Sequence, residues 1–404
     1  MFVNSPNEQR RNGRGQGMLR AHNTAAVLHL IWAGNYSRAD IARTTGLSRS
    51  TVTGIVGGLL QIGVVKESST QSSGGRPSTL LRVNERVRLL VGIEMGASHI
   101  STVLTDLQGN FLSTRSEPVD VQGQPQLALQ RMETHIHEML SELKLNSSAL
   151  AGIGLAVPCP LTESDVLDLN ILPLWRDIRP ADQLRARFGV PVMMDNDANL
   201  GALAELWWGA GRDVGDFSYI KLATGVGAGQ IINGQVYRGS GGIAGEIGHT
   251  AIDANGPLCR CGLRGCLEAM VGREALERQV GTDLESLIKN ANAGDLASIR
   301  AIKNAGTYMG IAVANLLNLM NPARIILGGA LTRAGDLLLT PLTQAVEERA
   351  LFSTVESSRV VLSQIGPQAV AKGAATLVLQ AALNDHSLLT PMPALAGAQS
   401  EAPQ

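Results

Sequence analysis

Three of the four cysteines fall within eight residues, as Cys259-Arg260-Cys261-Gly262-Leu263-Arg264-Gly265-Cys266, and His249 stands ten residues ahead of them. Soft thiolates and one imidazole make a Cys3His set suited to tetrahedral zinc. Four protein ligands, His249, Cys259, Cys261 and Cys266, would complete the tetrahedron and leave no open position, so the set implies a structural ion. Gly262 and Gly265 allow the loop to fold around it. Cys259 and Cys261 are too close for an easy disulfide. Cys159, in Val157-Pro158-Cys159-Pro160, reads as a small buried residue.

A second group able to do chemistry lies near the N-terminus. Ser48 is a helix cap, and the apolar residues Val52, Ile55, Val56 and Leu59 that follow define one buried face. Arg49, Ser50, Thr51 and Thr53 are left pointing outward at the start of that helix. An arginine there can pair bidentately with guanine in a major groove, and hydroxyls can meet bases or phosphates. Arg38 is placed for a backbone phosphate. Arg76, in the narrow Gly75-Arg76-Pro77 stretch, suits the negative potential of a minor groove.

The elements needed to hold these donors can be read around them. Asn23 to Ala33 reads as a first helix. Ser37, with Asp40 three residues later, opens a second that Gly46 breaks, and the helix after Ser48 ends at Gly63. Two strands between Val64 and Val83, separated by a Gly/Ser-rich turn, form a wing behind this helix-turn-helix. Residues 1 to 82 hold ten Lys and Arg against three acids, in a chain whose net charge is −1. Such asymmetry implies a basic module meeting a polyanion, attached to an acidic body. The bland alternatives are a solvated basic tail or a protein-binding three-helix module; the charge and the wing together favour DNA.

At 404 residues and 44% hydrophobic composition, the chain can bury at least two cores. Leu89 to Ile93 opens a strand-rich stretch with a turn at Asp106 to Asn110. The layout recurs at Phe217 to Leu222, the glycine run Thr224 to Gly229 and the turn Asn233-Gly234. Two such halves imply a duplicated α/β body with a cleft between lobes. Ile311 to Met320 is short and interrupted by Asn315 and Asn318, and Met1 to Gly17 has no apolar signal core, so the expected compartment is the cytoplasm. The expected division is a polar tail at 1–17, a winged helix-turn-helix at 18–83, a two-lobed domain at 88–383 with its zinc loop near 249–268, and a disordered tail at 384–404.

Taken together, Glu246-Ile247-Gly248-His249, the Cys259 to Glu268 run, Asn196-Asp197-Ala198-Asn199 and Ile326-Leu327-Gly328-Gly329-Ala330 resemble the ROK family. That family holds bacterial sugar kinases and sugar-responsive repressors of the Mlc, NagC and XylR type. The resemblance covers residues 18 to about 383. It implies an N-terminal winged helix-turn-helix followed by an actin-like, sugar-kinase-like domain, in which Asn196, Asp197, Glu246, His249 and Glu268 surround a sugar. In the kinases the aspartate matching Asp197 is the general base. Polyol recognition needs such acceptors in a cleft.

One stretch departs from the kinases. Their Asp-x-Gly-Gly-Thr phosphate loop is Glu94-Met95-Gly96-Ala97-Ser98 here, with a side chain in place of the second glycine and an acid longer by one methylene. The resemblance therefore implies a non-catalytic repressor with a sugar effector and operator DNA as partners. It would act as a homodimer or higher homo-oligomer, because one winged module buries little DNA surface. The alternative is an active ATP-dependent sugar kinase with a DNA-binding extension; a scaffold without small-molecule ligand is disfavoured by the five retained sugar positions. The sugar itself is not legible from motifs.

Overall fold

The computed structural model describes residues 6–71, 78–161, 167, 171–351 and 359–390. Both N-terminal capping signals act as their residue types dictate. Helix α1 (Pro6–Ala33) leads through a two-residue strand β1 (Tyr36–Ser37) into α2 (Arg38–Thr45). Ser37 Oγ accepts from the Asp40 amide at 3.2 Å while the Asp40 carboxylate accepts from the Ser37 amide at 3.1 Å, a complete capping box. Ser48 Oγ accepts from the Thr51 amide at the head of α3 (Arg49–Gln61), which buries Val52, Ile55, Val56 and Leu59. Strands β2 (Val65–Gln71) and β3 (Ser78–Val83) form the wing hairpin, and β1 extends it to three strands in the order β1-β3-β2. The wing tip with Arg76 lies outside the described residues.

The first lobe contains β4 (Leu89–Met95), β5 (His99–Thr105), β6 (Phe111–Pro118), α4 (Pro125–Glu142), β7 (Leu150–Val157), α5 (Pro180–Phe188) and β8 (Val192–Asn196). Helix α6 (Asp197–Trp208) leaves it for the second lobe. That lobe contains β9 (Phe217–Leu222), β10 (Val226–Ile232), β11 (Gln235–Tyr237), α7 (Leu267–Val271), α8 (Arg273–Val280), α9 (Leu284–Asn292), α10 (Leu296–Met320), β12 (Arg324–Gly328), α11 (Asp336–Arg349) and β13 (Val360–Leu362). Helix α12 (Ala369–Asn384) follows.

The sheets run β6-β5-β4-β7-β8 and β11-β10-β9-β12-β13. In each, the first strand of the half is central, flanked by its antiparallel hairpin partners on one side and parallel strands on the other. The expected duplication is thus a duplication of topology. The hairpin turns fall where the sequence places them, with Gly109 at φ +72° and Asn233-Gly234 at φ +53° and +71°.

Two terminal expectations are corrected. Helix α1 begins at Pro6, inside the segment read as a polar tail; Gly13, Gly15 and Gly17 and the lack of an apolar stripe concealed it. At the other end, α12 runs to Asn384, and a 3₁₀ turn at His386–Leu389 buries Leu389 completely, so residues 384–390 are structured rather than part of a free tail. Leu389 and the apolar face of α12 share one core with Val27, Leu28 and Ile31 of α1. The winged N-terminal module is therefore packed against the first lobe as well as tethered to it.

Helix α12 lies so close to its neighbours that a methyl group at Gly373 would stand 1.7 Å from the Leu200 carbonyl oxygen of α6, and one at Gly154 of β7 1.9 Å from the Ala374 carbonyl. In contrast, a methyl at Gly57 on the outer face of α3 meets nothing within 4 Å. The two classes of glycine should separate in urea or thermal melts. Gly373→Ala is expected to destabilise by about 3 kcal/mol or more, because backbone must move. Gly57→Ala is expected to stabilise by about 0.5–1 kcal/mol, the ordinary helix preference.

Candidate functional site

Five residues drawn from distant parts of the chain, Asn196, Asp197, Glu246, His249 and Glu268, line one cleft between the sheets. It encloses about 760 Å³, counting space open to solvent. Its walls come from the ends of β4, β8, β9 and β10, from the start of α6, and from the Gly245 to Glu268 segment.

At the start of α6 two neighbouring residues divide two tasks. Asn196 is the cap: its Oδ1 accepts from the amides of Ala198 at 2.9 Å and Asn199 at 3.3 Å. Asp197, freed from capping, turns its Oδ2 to the Lys221 ammonium at 2.8 Å. Lys221, on the buried strand β9, also donates to Glu94 Oε1 at 2.6 Å. Burial alone would lower its pKa, but the charges of Asp197 and Glu94 hold it above the usual lysine range. For Glu94, burial acts to raise the pKa, and Lys221 followed by His99 outweighs it, holding the carboxyl well below the usual range. Behind the cap, Asp195 accepts from Asn199 Nδ2 and from the Arg238 guanidinium.

Across the cleft, Glu268 is fixed by three donors. Arg260 approaches Oε1 through Nε at 2.7 Å and Oε2 through Nη2 at 3.1 Å, and the Val226 amide reaches Oε2 at 3.0 Å. Glu246 lies beside them, and burial pushes its carboxyl above the ordinary range.

His249 ends a 3₁₀ turn, Ile247–His249, with its two ring nitrogens facing different ways. Nδ1 lies 3.6 Å from Cys259 Sγ, while Nε2 is 3.9 Å from Glu246 Oε2 on the cleft side. Cys261 and Cys266 place their sulfurs 3.7 Å apart, and all four ligand atoms lie within 4.8 Å of one another. A tetrahedral ion with Zn–S of about 2.3 Å and Zn–N of about 2.0 Å needs S···S near ~3.8 Å and S···N near ~3.6 Å. The donor set therefore fits a metal ion. Gly262 and Gly265 both adopt positive φ, and at Gly265 a methyl would strike the Asp253 carbonyl at 1.5 Å. Cys159 is buried and stands outside the group.

On α3, Arg49, Ser50, Thr51 and Thr53 are all exposed on one end of the helix. Thr53 Oγ1 donates to the Arg49 carbonyl at 2.8 Å, and Ser50 and Thr51 share hydrogen bonds with Ser48, which orders the hydroxyls around the arginine. Arg38, read as a phosphate contact, donates instead to Glu67 on β2 at 2.9 Å. The pair is exposed, so it is weak enough for a phosphate to displace.

Sequence reasoning missed Lys221, Arg260 and a seam of tryptophans. Lys221 had a readable signal: a lone charge inside Phe217-Ser218-Tyr219-Ile220-Lys221-Leu222 must find a partner when the strand is buried. The tryptophans had none. Trp207 and Trp208 end α6, and their rings lie 4.9 and 5.7 Å from that of Trp32 near the end of α1. Trp32 Nε1 donates to the Leu107 carbonyl at 2.6 Å, and Trp208 Nε1 to Thr376 of α12 at 2.8 Å. Helix α6, about 18 Å long, thus reaches from the cleft to the DNA-binding module.

A winged helix-turn-helix seated on two lobes of matching strand order defines a sugar-kinase-like protein that carries its own DNA-binding module. The ROK family profile matches residues 90–381, and the chain belongs to the ROK family. It is 32% identical to the xylose repressor of Bacillus subtilis over 358 residues, which cover 87% of this chain and 92% of that one. Among solved structures, a ROK family transcriptional regulator described as a homologue of the Escherichia coli Mlc protein superposes with a TM-score of 0.75 at 27% identity, covering 92% of this chain and 98% of that one. A ROK family glucokinase from Streptomyces griseus, in complex with glucose and AMPPNP, gives a TM-score of 0.64 at 25% identity over 72% of this chain and 98% of its own.

The division of labour between Asn196 and Asp197 has a measurable consequence. Asn196→Ala should cost about 1 kcal/mol in urea unfolding through loss of the cap. Asn196→Asp, which keeps the acceptor, should recover most of it.

Proposed function

We propose that the protein is a sugar-responsive DNA-binding transcriptional repressor of the cytoplasm. It binds a sugar in the cleft without phosphorylating it and reads operator DNA through α3. The observation that carries this reading is that one helix, α6, bears the sugar-facing Asn196 and Asp197 at one end and meets Trp32 of the DNA-binding module at the other. A sugar that draws the lobes together around Asp197 and Glu268 changes the setting of α6, and the tryptophan seam passes that change to α1. On the DNA side, Arg49 reads a base edge, with Ser50, Thr51 and Thr53 around it; Arg38 contacts phosphate after leaving Glu67, and Arg76 enters the minor groove. Paired modules of a homodimer occupy two half-sites. The kinase alternative is weakened by Lys221, which occupies the carboxylate of Asp197 that would serve as base.

A structural zinc ion on His249 Nδ1, Cys259, Cys261 and Cys266 holds the loop that carries Arg260 and Glu268, leaving His249 Nε2 toward the sugar. Purified protein should then contain about one zinc per chain. Cys261→Ser should lower metal content, melting temperature and sugar affinity together, as read by elemental analysis, thermal melts and calorimetry. Full sugar affinity in metal-free protein would refute the structural role.

Coupling between the sites is tested by measuring each affinity with the other site filled. A coupling of about 1–3 kcal/mol corresponds to a change of about 5- to 150-fold, and it must be equal in both directions. Asp197→Asn is expected to weaken the sugar response, and Trp32→Leu to bring the factor toward one. Arg49→Ala should cost about 1–3 kcal/mol and relax preference at one base pair. If the response to sugar in the parent requires ATP hydrolysis, or phosphorylated sugar accumulates, the kinase reading replaces this one.

A further inference from the structure

Lys221 is a lone buried ammonium standing between the lobes. Its own strand, β9, belongs to the second lobe, while Glu94 on β4 and Asp197 at the head of α6 come from the first. The side chain is 10% exposed and its Glu94 partner 3% exposed, so both charges have given up most of their water. Two carboxylates thus face this one ammonium, and Glu94 is also met by the His99 imidazole at 3.7 Å. The other long cation lining the cleft, Arg260, is committed to Glu268. Glu246 adds a further carboxyl to the same wall. Among the described residues, then, each lysine or arginine of the cleft is already held by an acid.

We propose that Lys221 is a positioning and specificity-determining residue of the effector site. Its ammonium fixes the Asp197 carboxylate as an acceptor for a sugar hydroxyl, and its saturation by Glu94 makes the cleft select uncharged polyols over sugar phosphates and sugar acids. The inference rests on the reading of the cleft as a sugar site and adds the charge class of the ligand. The physical ground is the cost of bringing an anion into a partly dehydrated site where, among the described residues, no lysine or arginine is free to meet it. A neutral polyol meets no such cost, because its hydroxyls donate to the carboxylates already present.

The experiment is isothermal titration of the full-length protein with free aldopentoses, aldohexoses and N-acetylhexosamines, each beside its terminal phosphate, and with the corresponding uronic acids. The parent is expected to bind at least one free sugar tenfold or more tighter than its phosphate or uronate. Glu94→Gln releases Lys221 from one carboxylate and should shrink that preference about tenfold, whereas Glu94→Asp, which keeps the charge, should retain most of it. Lys221→Met should weaken binding of the free sugar tenfold or more, with Lys221→Arg recovering part. Should Lys221→Met not fold, the Glu94 pair of variants decides the matter alone. Tighter binding of a phosphorylated sugar, or an unchanged preference in Glu94→Gln, overturns the role of Lys221 while leaving the sugar site intact. If no sugar binds in either form, the sugar-site reading falls and this inference with it.

Discussion

The close contact between α6 and α12, closed at Gly373 against the Leu200 carbonyl, is the constraint on which the other parts rest. Both helices lie where the lobes meet, and each also touches the DNA-binding module, α6 through Trp207 and Trp208 and α12 through the core shared with α1. Backbone packed on backbone has no side chain to flex, so the pair moves as a unit or not at all. That rigidity ties the setting of Asp197 at the head of α6 to that of Trp207 and Trp208 at its end, where they meet Trp32. A longer residue at Gly373 would insert a compliant layer at the one place where stiffness matters.

Around this seam, polar groups are used economically. Asn196 spends its carbonyl on two helix amides, which leaves Asp197 free to face the cleft and Lys221. His249 offers one nitrogen to the cysteine group and the other to the cleft. Arg260 sits between Cys259 and Cys261 yet acts on Glu268. In each case a residue that builds the scaffold is the same as, or next in sequence to, one that faces the cleft or holds a cleft residue, so loop geometry and site geometry cannot vary independently.

Much of this was legible in the chain itself. Capping residues, apolar spacing in α3 and the hairpin turns depend on contacts within a few residues and stand in the structure, and the four expected Cys3His ligand atoms lie together. The five residues that the resemblance assigns to a sugar are gathered by the fold in one cleft. What was not legible depended on partners far apart in the chain. Lys221 needs Glu94, 127 positions away, and Trp208 needs Thr376, 168 positions away. Helix α1 beyond its apolar stripe and the burial of Leu389 were missed for the same reason, since local composition there is polar, glycine-bearing or short.

The return of α12 to the first lobe also sets an order of events during synthesis. Strands β4 and β7 emerge early, yet the helix that covers them is nearly the last element made, and His29 of α1 meets Asn384 across 355 residues. The apolar face that α12 covers on the nascent first lobe stays open while the whole second lobe is translated, and closing contacts of such sequence separation is intrinsically slow. The N-terminal module gains the α12 part of its seat only when that last helix docks. A chain stopped before α12 would thus leave Val27, Leu28 and Ile31 of α1 without the part of their core that α12 and Leu389 supply.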